Sequence, residues 1–298
     1  MKTLTYSILL SASVSPLFAD EPQNWNVRDY IPLQEITVQA HRGAGVLAPE
    51  NSLEAFEIAW KLGVIPEADI RMTQDGVIVS FHDNDFSRIL PAASDEMKKK
   101  GIKDLSYEEV TKLDIGIWKG NEFAGQRVPR LSEIVEVLKK YPQRKIYVDI
   151  KNVDFEQLAM ESQGIHPQMI LASTKYDEIE LWKKVAPDSF TLHWMGGTEE
   201  QLAERLEQLK EKQFRGIDQL QIHVHINKEG KFEPGDAFLR QTGDLLRKHN
   251  VLFQVLPWEG KDVDVYRRLL DLGAASFATD YPDVTMKALV EYYAAKRH

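Results

Sequence analysis

The chain has 298 residues, of which 43% are hydrophobic and none is cysteine, so disulfides, thiolate metal sites, cysteine nucleophiles and lipid attachment through a thiol are excluded. Its formal net charge of -9 has the wrong sign for a general affinity for nucleic acid or anionic lipid surfaces. An anionic ligand therefore has to meet a locally positive site, supplied by a metal ion or by a few placed Lys and Arg side chains.

Residues 1–19 carry Lys2, an apolar run over 8–14 and Leu17-Phe18-Ala19 before Asp20. A basic start, an apolar middle and a small residue at the boundary read as a secretory signal, which makes 20–298 a single secreted or periplasmic domain. No later segment approaches the ~20 apolar residues of a membrane span, so stable membrane insertion is not expected.

From residue 36 onward short apolar runs alternate with helical patterns, the signature of βαβ units and a parallel sheet. Eight strands are predicted, at 36–41, 65–72, 145–151, 169–173, 190–194, 220–226, 251–258 and 276–280. Eight strand-helix repeats close into an α/β fold of the (β/α)8 or TIM-barrel type, with the active site at the carboxyl ends of the strands; an open doubly wound sheet is the alternative. Residues 81–130 break the rhythm and predict an elaborated loop after the second strand, with a capped helix in Asp104-Leu-Ser-Tyr-Glu-Glu-Val and a solvated Lys98-Lys99-Lys100 face.

Side chains alternate along a barrel strand, so polar residues at every second position mark the inward face. Glu67, Asp69 and Arg71 fall together in this way, and so do Tyr147, Asp149 and Lys151, while Ala68, Ile70, Val148 and Ile150 can pack on the helices. Two carboxylates at i and i+2 with a third on a later strand form a hard oxygen site suited to Mg²⁺ or Ca²⁺. The spacing alone equally accommodates buried salt bridges, with Arg71 and Lys151 as counter-ions.

The surrounding motifs are Ala40-His41-Arg42-Gly43, Pro49-Glu50-Asn51-Ser52-Leu53-Glu54-Ala55-Phe56, Glu67-x-Asp69, Thr73-Gln74-Asp75-Gly76 and His82-Asp83. They are followed much later by Asp149-Ile-Lys151 and Ala278-Thr279-Asp280-Tyr-Pro282. In this order they resemble the glycerophosphodiester phosphodiesterase family over about residues 36–290. The resemblance implies a metal-dependent hydrolysis of glycerophosphodiesters to glycerol 3-phosphate and an alcohol. It implies Glu67, Asp69 and Asp149 as metal ligands, His41 and His82 as the acid-base pair, and Arg42 and Lys151 as the grip on phosphate. The family's third ligand is usually Glu, so Asp149 is a departure whose shorter arm bears on metal preference.

The residue types make chemical sense on their own. A phosphodiester is an anion with a poor leaving group, so a dication can neutralise charge on the non-bridging oxygens while one imidazole removes a proton and another supplies one. Asp83 reads either as an orienting group or as a turn stabiliser. His223 and His225 share a face and read as hydrogen-bonded residues of the barrel interior or mouth; His193, Trp194 and Trp258, near strand ends, are candidates to shape a pocket for the alcohol group or to pack at the rim. Two other functions fit parts of the pattern: a sphingomyelinase D or lysophospholipase D-like enzyme, and a silent barrel that only binds phosphate esters. No protein partner can be read from the sequence.

Overall fold

The computed structural model describes residues 26–295; the expected secretory signal at 1–19 lies outside them. Ten strands occur among the described residues: β1 Thr37–Ala40, β2 Ile65–Met72, β3 Ile78–Ser80, β4 Ile146–Ile150, β5 Met169–Ser173, β6 Phe190–Met195, β7 Gln219–Ile226, β8 Phe232–Glu233, β9 Leu252–Pro257 and β10 Ser276–Thr279. Eight of them run parallel in the order β1, β10, β9, β7, β6, β5, β4, β2, and β2 pairs back onto β1 to close the barrel. These eight are the predicted strands, with ends shifted by a residue or so. The open sheet is thereby excluded.

The period-2 reading holds where it matters most. Ala68 and Ile70 of β2 and Ile146 and Val148 of β4 turn outward into one apolar cluster with Phe56, Leu131, Ile134 and Leu138, residues of the helices Leu53–Leu62 and Leu131–Lys140. Burial of these side chains, worth about 1.5–3 kcal/mol each, fixes the register of β2 on β4. That register sets Asp69 opposite Asp149. The helix Leu53–Leu62 starts where the Ser52 hydroxyl accepts from Ala55 N and stops at Gly63, whose φ of 78° ends the helical run.

Between β2 and β4 the chain leaves the barrel rhythm as expected. β3 turns back antiparallel on β2, and the following residues build an apolar cluster of their own around Phe81, Phe86, Ile89, Ile102, Leu105, Val110, Ile115 and Val128. The capped helix of this segment is Tyr107–Val110, with Ser106 and Glu109 as its reciprocal caps. No helix of the described residues is long and apolar enough to cross a membrane.

Candidate active site

The inward residues of β2 and β4 meet at the carboxyl end of the barrel. Glu67, Asp69 and Asp149 are all buried, and each offers an oxygen within 4.8 Å of those of the other two. Lys151 Nζ lies 3.0 Å from Asp69 Oδ1 and 2.7 Å from Asp149 Oδ2, so one ammonium faces three carboxylates. Arg71, the other expected counter-ion, turns away to donate to the His82 carbonyl and to Asn84.

The resulting excess of negative charge shows in the protonation of the cluster. Burial first, and then the charge of Asp69, raises the Glu67 carboxyl above its ordinary range. Burial also pushes Asp149 up to about 7, reinforced by Asp69 and Glu67 and opposed by Lys151. Asp69 goes the other way: burial is outweighed by Lys151, His82 and the Asn51 hydrogen bond, and it stays below the ordinary range. A dication fits this set, because carboxylate oxygens are hard anionic ligands and a bound cation would offset the burial and mutual repulsion that raise Glu67 and Asp149. The shorter Asp149 still reaches the cluster.

Asn51, a member of the Pro49-Glu50-Asn51-Ser52 motif to which the sequence assigned no role, locks the geometry. Its Nδ2 donates to Asp69 Oδ2 at 2.9 Å, while its Oδ1 accepts from Asp69 N at 2.8 Å and from Ser80 Oγ at 2.6 Å. Its backbone N in turn donates to the Arg42 carbonyl. Arg42 and Asn51 both adopt left-handed backbone, with φ of 54° and 55°, a conformation that costs energy for residues with a side chain. That fold of the loop brings Arg42 N to 3.0 Å from Glu67 Oε2.

His41 follows β1 and Asp280 follows β10. Because Ala40 is in register with Thr279, the two are neighbours despite their separation in sequence, and His41 Nδ1 bonds Asp280 Oδ1 at 2.8 Å. Gly45 permits the approach: a Cβ there would lie 2.1 Å from the Asp280 carbonyl oxygen, while Val46 N donates to that same oxygen. Burial pulls the His41 imidazole down, but the Asp280 hydrogen bond and the charge of Glu67 win and its pKa is raised.

His82, which lines the same cavity as His41, is held the same way, its Nδ1 2.7 Å from Asp83 Oδ1. Asp83 is thus an orienting group. Its own carboxyl is held well below the ordinary range: burial opposes this, but the hydrogen bonds from His82 and Arg88 prevail. Arg42 Nη2 sits 3.0 Å from His82 Nε2, and Arg42 Nε is buried with no hydrogen-bond partner.

Two cavities share this centre. A small one of about 140 Å³ is lined by His41, Arg42, Glu67, Asp69 and their neighbours, with Trp194, His223 and Trp258 as an aromatic wall. Trp194 stacks on His223 at 5.0 Å between centroids, and Trp258 meets His223 and His41 edge to face. Burial depresses His223 to about 4, and its Nε2 bonds Gln221 Oε1 at 3.1 Å; it is the hydrogen-bonded interior histidine expected. His225 stays at the exposed rim near Glu259.

The second cavity, about 650 Å³, opens outward past His82, Asp149, Lys151 and Trp194 to Asp85, Ser87, Thr174 and Glu178. His193 lines neither. Leu192 and Trp194 face the small cavity, so alternation along β6 turns His193 to the helix layer. There it is buried, its Nδ1 has no partner, and burial lowers its pKa to about 4. The expectation that His193 shapes the alcohol pocket is corrected on this ground.

The placement of two carboxylate-held imidazoles around three clustered acids can be set beside known sequences. Residues 41–284 match the sequence model of the glycerophosphoryl diester phosphodiesterase family. The chain belongs to this family. A relative named glycerophosphodiester phosphodiesterase from Caldanaerobacter subterraneus subsp. tengcongensis is 32% identical over 168 residues, covering 50% of this chain and 63% of that one. The chain thus spans less than two thirds of that relative. A Bacillus subtilis protein of the same name is 25% identical, with 95% of each chain covered. Among solved structures of similar fold is an Oleispira antarctica phosphodiesterase in complex with the product sn-glycerol-3-phosphate, at TM-score 0.63 and 24% identity, covering 89% of this chain and 99% of that one.

Proposed function

We propose that this member of the family hydrolyses glycerophosphodiesters to glycerol 3-phosphate and an alcohol, with a divalent cation, Mg²⁺ or Ca²⁺, held by Glu67, Asp69 and Asp149. The observation that carries the reading is the pair of imidazoles, each fixed at Nδ1 by its own carboxylate, that line one cavity with that acidic cluster. The bound cation would supply positive charge against the non-bridging phosphate oxygens. The product bound by the Oleispira protein supports the same substrate class.

The chain's own residues divide the remaining work. Arg42 and Lys151 offer donors to the phosphate, and the unpartnered Arg42 Nε gives the guanidinium a reason to turn towards it. A guanidinium only donates, so the Arg42 contact requires an unprotonated His82 Nε2, with the ring proton on Nδ1 facing Asp83. His82 therefore begins as the proton acceptor for the attacking hydroxyl, whether of water or of the substrate's own glycerol. His41, whose pKa is raised, begins as the donor to the oxygen of the departing alcohol. Trp258 and Trp194 wall the small cavity against water.

The larger cavity favours a polar alcohol. Ile150 and Trp194 are the apolar members of its lining, against seven formally charged side chains, so a long acyl chain finds no apolar track there. This favours soluble glycerophosphodiesters over the lysophospholipase D-like or sphingomyelinase D-like alternative. Turnover of glycerophosphocholine, glycerophosphoethanolamine and glycerophosphoinositol against lysophosphatidylcholine and sphingomyelin, with Mg²⁺, Ca²⁺ or chelator, tests the reading. Preference for the lipids would overturn the substrate assignment, and binding without turnover would favour the silent barrel. We also propose export, on the signal-like pattern of residues 1–19.

A further inference from the structure

Five side chains, His82 among them, form a closed ring. His82 Nδ1 bonds Asp83 at 2.7 Å, and Asp83 accepts from Arg88 Nε at 2.8 Å and Nη2 at 2.9 Å. Arg88 Nη1 and Nη2 each reach Glu50 at 2.7 Å. Glu50 accepts from Arg42 Nη1 at 3.3 Å, and Arg42 Nη2 returns to His82 Nε2 at 3.0 Å. Arg88 is the one member with two forked contacts, and it comes from the segment inserted between β2 and β4. The Trp118 ring of the same segment lies 5.4 Å from its guanidinium carbon.

We propose that Arg88 is a positioning residue for the reaction. By holding Asp83 and Glu50 at once, it fixes both ends of the His82 imidazole, directly through Asp83 and indirectly through Glu50 and Arg42. Without it, Asp83 would keep only His82 and Glu50 only the longer contact from Arg42, and the ligating atoms of Glu50, His82 and Asp83 lie within 4.8 Å of one another. With the Arg88 charge gone, that group of three could admit a cation. Arg88 keeps it closed with a charge that cannot dissociate, while leaving Arg42 on the weaker, longer contact from which a phosphate can draw it. A lysine cannot reproduce this, having no planar fork for two carboxylates. The proposal rests on the reading of His82 as the proton carrier.

The test is Arg88→Ala in the full chain, beside wild type, on glycerophosphocholine. The expected result is a fall in kcat of about 10- to 100-fold, as for other groups that orient a functional side chain, with KM changed by less than about threefold. Methylguanidinium restores part of the rate and ammonium does not. Raising Mg²⁺ or Mn²⁺ inhibits the variant, through the opened triad, at concentrations that leave wild type unaffected. By NMR the His82 Nδ1 proton, sharp in wild type, broadens in the variant and sharpens again with methylguanidinium. An unchanged kcat, or a fall that methylguanidinium does not relieve, overturns the proposal. Should wild type itself turn over no glycerophosphodiester, the reaction reading fails; the NMR comparison then decides the positioning role, which an unchanged His82 signal in the variant would overturn.

Discussion

Arg42 Nη2 stands 3.0 Å from His82 Nε2, placing a cation against the ring nitrogen on which proton transfer would depend. The contact has a direction, since only the imidazole can accept. On the proposed division of roles, with His82 as acceptor and His41 as donor, the two histidines should fail differently when removed.

His41→Ala and His82→Ala should each lower kcat on a glycerophosphodiester by roughly 10²- to 10⁴-fold while leaving fold and metal binding intact. On bis(p-nitrophenyl) phosphate, whose leaving group needs little protonation, His41→Ala should recover most of its loss and His82→Ala should not. The double variant should be little worse than the worse single one, because groups acting as a unit are not additive. Steady-state kinetics on both substrates check all three expectations; near-wild-type rates in both single variants would rule out the two-histidine assignment.

If Asp149 is a metal ligand as proposed, it couples metal binding to pH. Its carboxyl is raised in the folded chain to about 7 from an ordinary 3.8, so the metal-free fold binds that proton more tightly than the unfolded chain does. The stability this contributes is full below the unfolded value and is lost as pH rises through about 7. A cation stabilises only the deprotonated cluster. The gain in Tm on adding Mg²⁺ or Ca²⁺ should thus be larger at pH 8 than at pH 5. Calorimetry of chelated Asp149→Asn should show a Tm at or above that of chelated wild type at pH 8, with no response to metal; a metal response equal to wild type would remove Asp149 from the ligand set.

His193 and Trp258 should separate cleanly. Trp258 lines the small cavity, and its replacement by Ala should raise KM by about 10-fold or more. His193→Leu should leave kcat and KM within about twofold. It should also reduce acid sensitivity, because a buried histidine lowered from 6.5 to about 4 contributes stability above pH 6.5 that is lost as pH falls through about 4. Melting curves across that range, alongside kinetics at neutral pH, test both halves.

Export should leave a mature protein lacking about the first nineteen residues. Intact-mass analysis of the protein from its native host, fraction by fraction, checks this; a soluble cytoplasmic pool that retains Met1 would count against it.

The placement of the carboxylates was legible from strand alternation, whereas the roles proposed for the histidines, Arg42 and Lys151 came from the resemblance carried by the motifs. The i, i+2 spacing of Glu67 and Asp69 put them on one face, and β4 carried Asp149 into line with Asp69. His41 and Asp280 were readable in principle: a closed barrel pairs its last strand with its first, so residues just past their ends must meet. The same alternation argued against His193, since Trp194 and its neighbour cannot both face inward. Asn51 stood in one of the motifs but its role was not readable, and Arg88 was not read at all. Their contacts are made between loops, where no period tells which side chain faces which.

The pairing of His41 with Asp280 also has a temporal meaning. A ribosome delivers His41, Glu67, Asp69, His82 and Asp149 well before β10, yet His41 has no orienting carboxylate until the final strand docks between β9 and β1. On the proposed role of His41, chain closure is thus the event that would arm the centre, and a nascent or truncated polypeptide lacking β10 should be inert.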